Sequence, residues 1–442
     1  MNKSTLVLAV AAGVLAQQAG AAGFIEDSKA TLGLRNFYIN TDNRSGAANP
    51  SRNEEWGQGF DLRFISGYTQ GAVGFGVDAI GLLGVRLDSG GGTNGAANGA
   101  AYGGTVFPSK SNGEAVDNFS SLGLTAKAKI SQTELKLGTL QPKLPVIVTN
   151  DGRLLPQTFQ GGQITSGEIK DLTLIGGQIE HVKGRNSSSN EQLSIGGASA
   201  RTANSNKFIY AGGDYKITKD LTAQYYYGNL EDFYKQHFLG LVHNWSIGPG
   251  VLKSDLRYFN SSDDGLNGNT ATYYSNGNYN STANGKGKVD NNLYSGLFLY
   301  TVAGHTFGGG YQVSNGSSDF PWLNQGDGSS AYLTTDSQIA KFARAGERTW
   351  QARYSYDFAK VGVPGLTAGV VYLHGDDIDT RSPASTGSSE WERDLTVGYV
   401  VPEGPLKNVG LMWKNATWRT NIPGQRDQDE NRLIVSYSIP LL

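Results

Sequence analysis

The sequence predicts an all-β protein, a transmembrane antiparallel β-barrel of about eighteen strands. Three observations predict it. Segments of about ten residues alternate apolar and polar side chains at period two. Tight turns and long polar loops take turns along the chain. Beyond the N-terminus, no apolar run approaches the roughly 18 residues that a membrane helix needs.

Composition narrows the class before any element is placed. The chain has 442 residues, 61 Gly, 22 Tyr and no Cys, with a formal net charge of -2. So small a charge argues against nucleic acid as a partner. The first residues, MNKSTLVLAVAAGVLAQQAGAAG, carry Lys3, an apolar stretch from Leu6 to Ala16, and small residues at Ala19 and Ala21. That layout is expected of a secretory signal peptide over 1–21, leaving 22–442 as the barrel domain. Without cysteine, stability falls to a large core or a membrane.

The strands follow in order. Leu62, Phe64 and Tyr68 alternate with Asp61 and Arg63; Leu122, Leu124, Ala126, Ala128 and Ile130 alternate with Thr125, Lys127 and Lys129. Tyr225 and Tyr227 alternate with Gln224 and Tyr226, and Leu252, Leu256 and Tyr258 with Lys253, Asp255 and Arg257. In TWQARYSYDF, Trp350, Ala352, Tyr354, Tyr356 and Phe358 share one parity and Gln351, Arg353, Ser355 and Asp357 the other. Leu395, Val397, Tyr399 and Val401 close the series against Asp394, Thr396 and Gly398.

Short turns are expected at 68–71, 131–133, 170–171, 217–220 and 402–405, and long polar loops at 89–117, 183–206, 262–291, 315–346, 375–391 and 421–429. The stretch 191–200 is assigned to a loop, because an extra strand there would put the 216–220 turn on the wrong side. An even strand count returns both ends to the turn side, the periplasmic side of a bacterial barrel. A propeller would show self-similarity at a period near 40–50 residues, and the sequence has none.

Energetics decides which face is which. An arginine on the lipid face costs roughly 2–4 kcal/mol near the midplane. Repeated at Arg63, Lys127, Lys129, Lys253 and Arg353, that penalty would rival the whole stability of a domain, about 5–15 kcal/mol. The oily parity therefore faces lipid and the charged parity faces the lumen. By this rule Arg35, Arg63, Lys127, Lys129, Lys136, Lys253, Arg257, Arg353, Lys414 and Arg432 point inward, with Asp61, Asp78, Asp255, Asp357 and Asp394. Tyr225, Tyr354, Tyr356, Tyr399 and Trp413 suit interfacial girdles.

A barrel this wide holds water unless something fills it. The segment QPKLPVIVTNDGRLLPQTFQGG (141–162) contains Pro142, Pro145 and Pro156, so it is not a strand. Its Val146, Ile147, Val148, Leu154 and Leu155 would be wasted on a solvated tip. Folding into the barrel explains both features, and makes this segment the candidate constriction.

The landmarks LRNFYIN (34–40), WGQGFDLRF (56–64), YTQGAVGFGVDAIG (68–81), QPKLPV (141–146), RLLPQTFQG (153–161), LEDFYKQ (230–236), ERTWQARYSYDF (347–358), GVPGLT (362–367) and NRLIVSY (431–437) resemble the OprD family of substrate-specific outer-membrane porins. The resemblance spans essentially the whole mature chain. It implies an eighteen-stranded barrel in the bacterial outer membrane, monomeric or loosely trimeric. It also implies a narrow eyelet at an inward third loop, and a file of basic side chains that guides carboxylate-bearing solutes. By position, Arg153 matches the loop arginine of that family, Arg353 the arginine of WQARY, and Arg432 that of the last strand. Lys414 stands where some relatives carry a ladder arginine, and Met412 occupies another such position, so the basic row is thinner here.

The resemblance together with strand parity makes Arg153, Arg353, Arg432, Lys414, Arg35, Arg63, Lys127 and Lys129 the candidate guides, opposed by Asp61 and Asp357. Unlike charges on facing walls make a transverse field that orients a carboxylate, and the arginine fork pairs with both of its oxygens. The expected function is facilitated diffusion of small carboxylates, aromatic or other monocarboxylates first; basic amino acids, small peptides or general permeation are the alternatives. The partners are then small solutes and outer-membrane lipid, with no cofactor and no metal. The five His lie in no catalytic or metal-ligand motif, so an enzyme is not expected.

Overall fold

A computed structural model describes residues 23–44, 51–88, 104–196, 204–269, 288–324, 330–380 and 387–442. The expected signal peptide, 1–21, lies outside the described residues. The chain forms one 18-stranded antiparallel sheet. Its strands begin with β1 (Lys29–Asn43), β2 (Arg52–Ile65), β3 (Gly74–Asp88), β4 (Asn118–Ile130), β5 (Thr133–Leu140) and β6 (Thr158–Ser166). They continue with β7 (Leu172–Lys183), β8 (Phe208–Lys216), β9 (Leu221–Leu230), β10 (Tyr234–Ile247), β11 (Gly250–Asp263) and β12 (Asp290–Val302). The last six are β13 (His305–Gly316), β14 (Arg348–Asp357), β15 (Leu366–Ile378), β16 (Ser388–Val400), β17 (Gly410–Thr420) and β18 (Gln428–Pro440).

Each strand pairs with its sequence neighbours, and β18 pairs with β1 from Thr31↔Pro440 to Asn43↔Gln428, which closes the barrel. The turns fall where the sequence puts them. Ser131 and Asp171 take positive φ in two of them, with φ 52° and 62°. Ser194–Ile195 pairs with Leu323–Asn324 in a two-residue ladder separate from the barrel sheet, so the stretch 191–200 adds no wall strand.

The lipid-facing parity is as expected. Leu62, Leu122, Tyr225, Tyr294, Phe307, Trp350, Tyr354, Trp413 and Leu433 are all exposed on the barrel's exterior. Aromatic side chains line up across strands toward the loop side. Tyr258 stacks on Tyr294 at 4.8 Å, Trp350 lies 5.2 Å from Tyr372, and Tyr372 lies 5.9 Å from Trp391.

The inward parity departs from a uniformly polar lumen. On β8 to β12 it carries Phe208, Tyr210, Tyr226, Phe238, Phe259 and Leu293, all buried. These side chains form one core with Leu144, Val146 and Ile147 of the 141–157 loop and with Phe320, Leu323 and Leu333 of the 317–347 loop. Inward loops thus supply an apolar interior to one side of the barrel.

Leu241, midway along β10, is exposed to lipid and pairs with Leu256. Leu241→Arg is expected to cost roughly 2–4 kcal/mol in denaturant unfolding from lipid vesicles. An equal midpoint for variant and parent would contradict the assigned faces.

Candidate functional site

The 141–157 loop runs inside the barrel, held by grease at both ends and by arginine in the middle. Leu144, Val146 and Ile147 join the first core. Leu154 and Leu155 join a second core with Phe37 and Ile39 of β1 and with Phe107, which belongs to the preceding long loop. Glycine makes the approach possible. A Cβ on Gly59 of β2 would stand 2.9 Å from the Leu154 carbonyl oxygen.

Between these anchors the loop is ringed by cations. Arg35 donates from Nη1 to Asp151 Oδ1 at 2.7 Å and to the Arg153 carbonyl at 2.6 Å. Arg432 donates to the Gly152 carbonyl at 3.4 Å and pairs with Glu430 at 2.6 Å. Arg185, just past the end of β7, donates to Asn150 Oδ1 at 3.0 Å. A Cβ placed on Gly152 would lie 3.5 Å from Arg185 Nη1 and 4.0 Å from Arg432 Nη1, so two guanidinium groups flank one glycine. Arg153 itself turns to the Thr105 carbonyl at 3.4 Å. Arg153, Arg185 and Arg432 are each at most 9% exposed. Lys414 is the register partner of Arg432 on β17, half-buried in the lumen beside it.

The described residues of the 317–347 loop, 317–324 and 330–347, form a second inward wall. Arg257 donates to the Tyr332 carbonyl at 3.2 Å and sits 4.0 Å over the Tyr332 ring. Arg353 donates to the Thr334 carbonyl and, through Nε, to Gln351 at 2.7 Å. Arg432 reaches the Gln338 carbonyl at 3.2 Å. Wall carboxylates hold the same segment by its N–H groups. Glu392 accepts from Gln338 at 3.1 Å, Ile339 at 2.9 Å and Ala340 at 2.7 Å, and Asp394 accepts from Ser337. Cations therefore take the loop's carbonyls and anions its amides. Glu347, at the end of this loop, has its carboxyl pushed well above the usual range by burial first and by the nearby Glu390 second.

The remaining predicted residues lie lower in the lumen. Arg63 pairs with Asp61 at 2.7 Å, and Lys127 with Asp78 at 2.7 Å. Lys127 and Lys129 stand 4.8 and 5.8 Å from the ring centre of Tyr68. Asp357, at the turn end of β14, accepts from the Ala359 N–H at 2.9 Å and caps a short 3-10 turn. Two clefts open near loop residues on this side. One, of about 280 Å³, is lined by Arg35, Asp61, Leu155 and Ser436; the other, of about 310 Å³, by Arg63, Asp78, Lys136 and Lys143.

The fold thus brings Arg35, Arg153 and Arg432 together on one loop, with Lys414 adjacent. It sets Arg353 against a different loop, brings Asp61 and Arg63 to clefts beside the first loop, and pairs Lys127 with Asp78 below them. Sequence reasoning missed Arg185 and the inward course of 317–347. The second had a signal: Phe320, Trp322, Leu323, Tyr332 and Phe342 are as misplaced on a solvated loop as the aliphatic residues of 141–157.

Comparison with known proteins agrees with this architecture. The family model described as "outer membrane porin, OprD family" matches residues 22–441. The porin-like protein GalP of Pseudomonas putida is 38% identical over 426 residues, covering 96% of this chain and 95% of its own. The crystal structure of Pseudomonas aeruginosa OccK8 (OprE) has a TM-score of 0.86 at 62% identity, covering 95% of this chain and 100% of that one. Pseudomonas aeruginosa OpdK with vanillate gives 0.81 at 36%, again covering 95% and 100%.

Glu392→Ala removes the acceptor shared by three loop amides, at a cost of roughly 1–3 kcal/mol to the seating of the 317–347 loop. Planar-bilayer recordings are expected to show noisier openings and a larger open conductance than the parent. Traces indistinguishable from the parent would mean that this carboxylate does not hold the loop.

Proposed function

The chain belongs to the OprD family of outer-membrane porins, and from that premise we propose that its channel passes small monocarboxylates, aromatic ones foremost. The bacterial outer membrane is its site of action, and facilitated diffusion is its mode. The observation that carries the substrate class is the meeting of Arg185 and Arg432 at Gly152, beside Arg35 and Arg153. A carboxylate reaching this girdle exchanges part of its hydration for planar guanidinium donors.

The lumen acids support the same reading. Glu392 and Asp394 are committed to amide and hydroxyl donors of the 317–347 loop, and Asp61 and Asp78 to Arg63 and Lys127. These four carboxylates are already committed, which disfavours basic amino acids at their positions. The two clefts beyond the loop, about 280 and 310 Å³, match the lower end of small-ligand sites. Their Arg35 and Arg63 are each paired, with Asp151 and Asp61, so their offset charges make only weak stations, and weak successive stations let a solute leave as well as enter. OpdK, solved with the aromatic carboxylate vanillate, is a relative whose ligand has the proposed chemistry.

Liposome uptake with a panel of benzoate-type acids, lysine, arginine and neutral sugars tests the proposal. Arg153→Ala and Arg185→Ala are each expected to lower carboxylate uptake about three- to tenfold and to speed the leakage of small ions. Equal rates for charged and neutral solutes would leave a general pore. Preferred uptake of lysine or arginine would reverse the charge assignment.

A further inference from the structure

Arg393 breaks the rule that puts the charged parity in the lumen. Its neighbours Glu392 and Asp394 are buried inside, so Arg393 points to the lipid-facing side, where it is exposed. It stands at the aromatic girdle of the loop side. Its register partner on β15 is Tyr372, and Tyr372 stacks on Trp391, the next residue outward on Arg393's own face.

The other arginines on or beside this part of the wall have carboxylate partners. Arg52 meets Glu54 at 3.6 Å, Arg348 meets Asp377 at 3.5 Å, Arg419 meets Asp429 at 2.9 Å, and Arg44 meets Asp429 at 2.6 Å. Arg393 differs. Among the described residues its Nη2 is held by two neutral oxygens, Thr417 Oγ1 at 2.9 Å and Asn415 Oδ1 at 3.3 Å, with no carboxylate in ion-pair reach. Asn415 is itself fixed by Asn431 Oδ1 at 3.0 Å. The guanidinium is thus oriented but not neutralised. Toward the membrane interior the same face continues as Leu395, Val397, Trp413 and Leu433, an apolar surface suited to acyl chains.

We propose that Arg393, with Asn415 and Thr417, binds the phosphate of an outer-leaflet lipid whose chains lie on Leu395, Val397, Trp413 and Leu433. Position and charge carry the choice of occupant. The site faces the bilayer at headgroup depth, where anions are carried by lipids, and a guanidinium fork matches phosphate geometry. Tyr372 and Trp391 wall one side of the headgroup position. The proposal is independent of what passes through the lumen.

Native mass spectrometry of the full barrel in neutral detergent tests it, titrated with lipid A, with dephosphorylated lipid A and with the phosphate-free lipid diacylglycerol. The parent is expected to bind lipid A with a midpoint about tenfold below that of Arg393→Gln, while the two proteins bind the other lipids alike. Arg348→Gln, which removes a carboxylate-paired arginine on the same girdle, is expected to bind as the parent does. Arg393→Lys keeps the charge without the fork and should fall between, which preserves the test if the glutamine variant fails to fold. Equal lipid A midpoints for the parent and both Arg393 variants would overturn the proposal, as would an equal loss in Arg348→Gln. Displacement of bound lipid A by millimolar inorganic phosphate would also overturn it, since the site would then be one for free anion.

Discussion

A bilayer offers a peptide group no hydrogen-bond partner, so every membrane-spanning strand must find two neighbours, and this requirement shapes everything else in the molecule. It is met by the ladder between β18 and β1, which joins the two ends of the chain from Thr31↔Pro440 to Asn43↔Gln428. Closure fixes the strand count as even, puts both ends on the turn side, and leaves no edge. It also makes the period-two alternation mean the same thing all the way round: one face to hydrocarbon, the other to the interior.

The interior then faces a second form of the same problem. Two long loops enter the barrel and bring polar backbone with them. The wall satisfies that backbone with its own charges. Arg35, Arg257, Arg353 and Arg432 donate to loop carbonyls, and Glu392 accepts from loop amides. The wall charges bound to loop backbone hold the two loops inside the barrel, and Arg185 does the same through Asn150. Basic residues on the wall are not simply a file of substrate sites.

Apolar packing divides the lumen unevenly. Around β8 to β12 the inward residues are large and oily, and the loops that cover them fill that side. The wall across from it, β17, β18, β1 and β2, carries the inward cations Lys414, Arg432, Arg35 and Arg63 beside the smaller core of Phe37, Ile39, Leu154 and Leu155.

By itself the sequence determined the faces and the count, because strand parity is local: TWQARYSYDF declares its lipid side without reference to any other segment. It also marked 141–162 as inward, since aliphatic residues between prolines have nowhere else to go. Which arginines meet was decided only by the tertiary structure. Arg35 and Asp151 are 116 residues apart, and Arg432 and Gly152 are 280 apart, so no local pattern encodes their contact. Arg185 escaped notice because it lies past a strand end, where parity no longer says which way a side chain points. The inward course of 317–347 depends on Glu392 and Asp394, two strands further along the wall. Parity can assign a carboxylate to the lumen; only the closed barrel shows which loop it meets there.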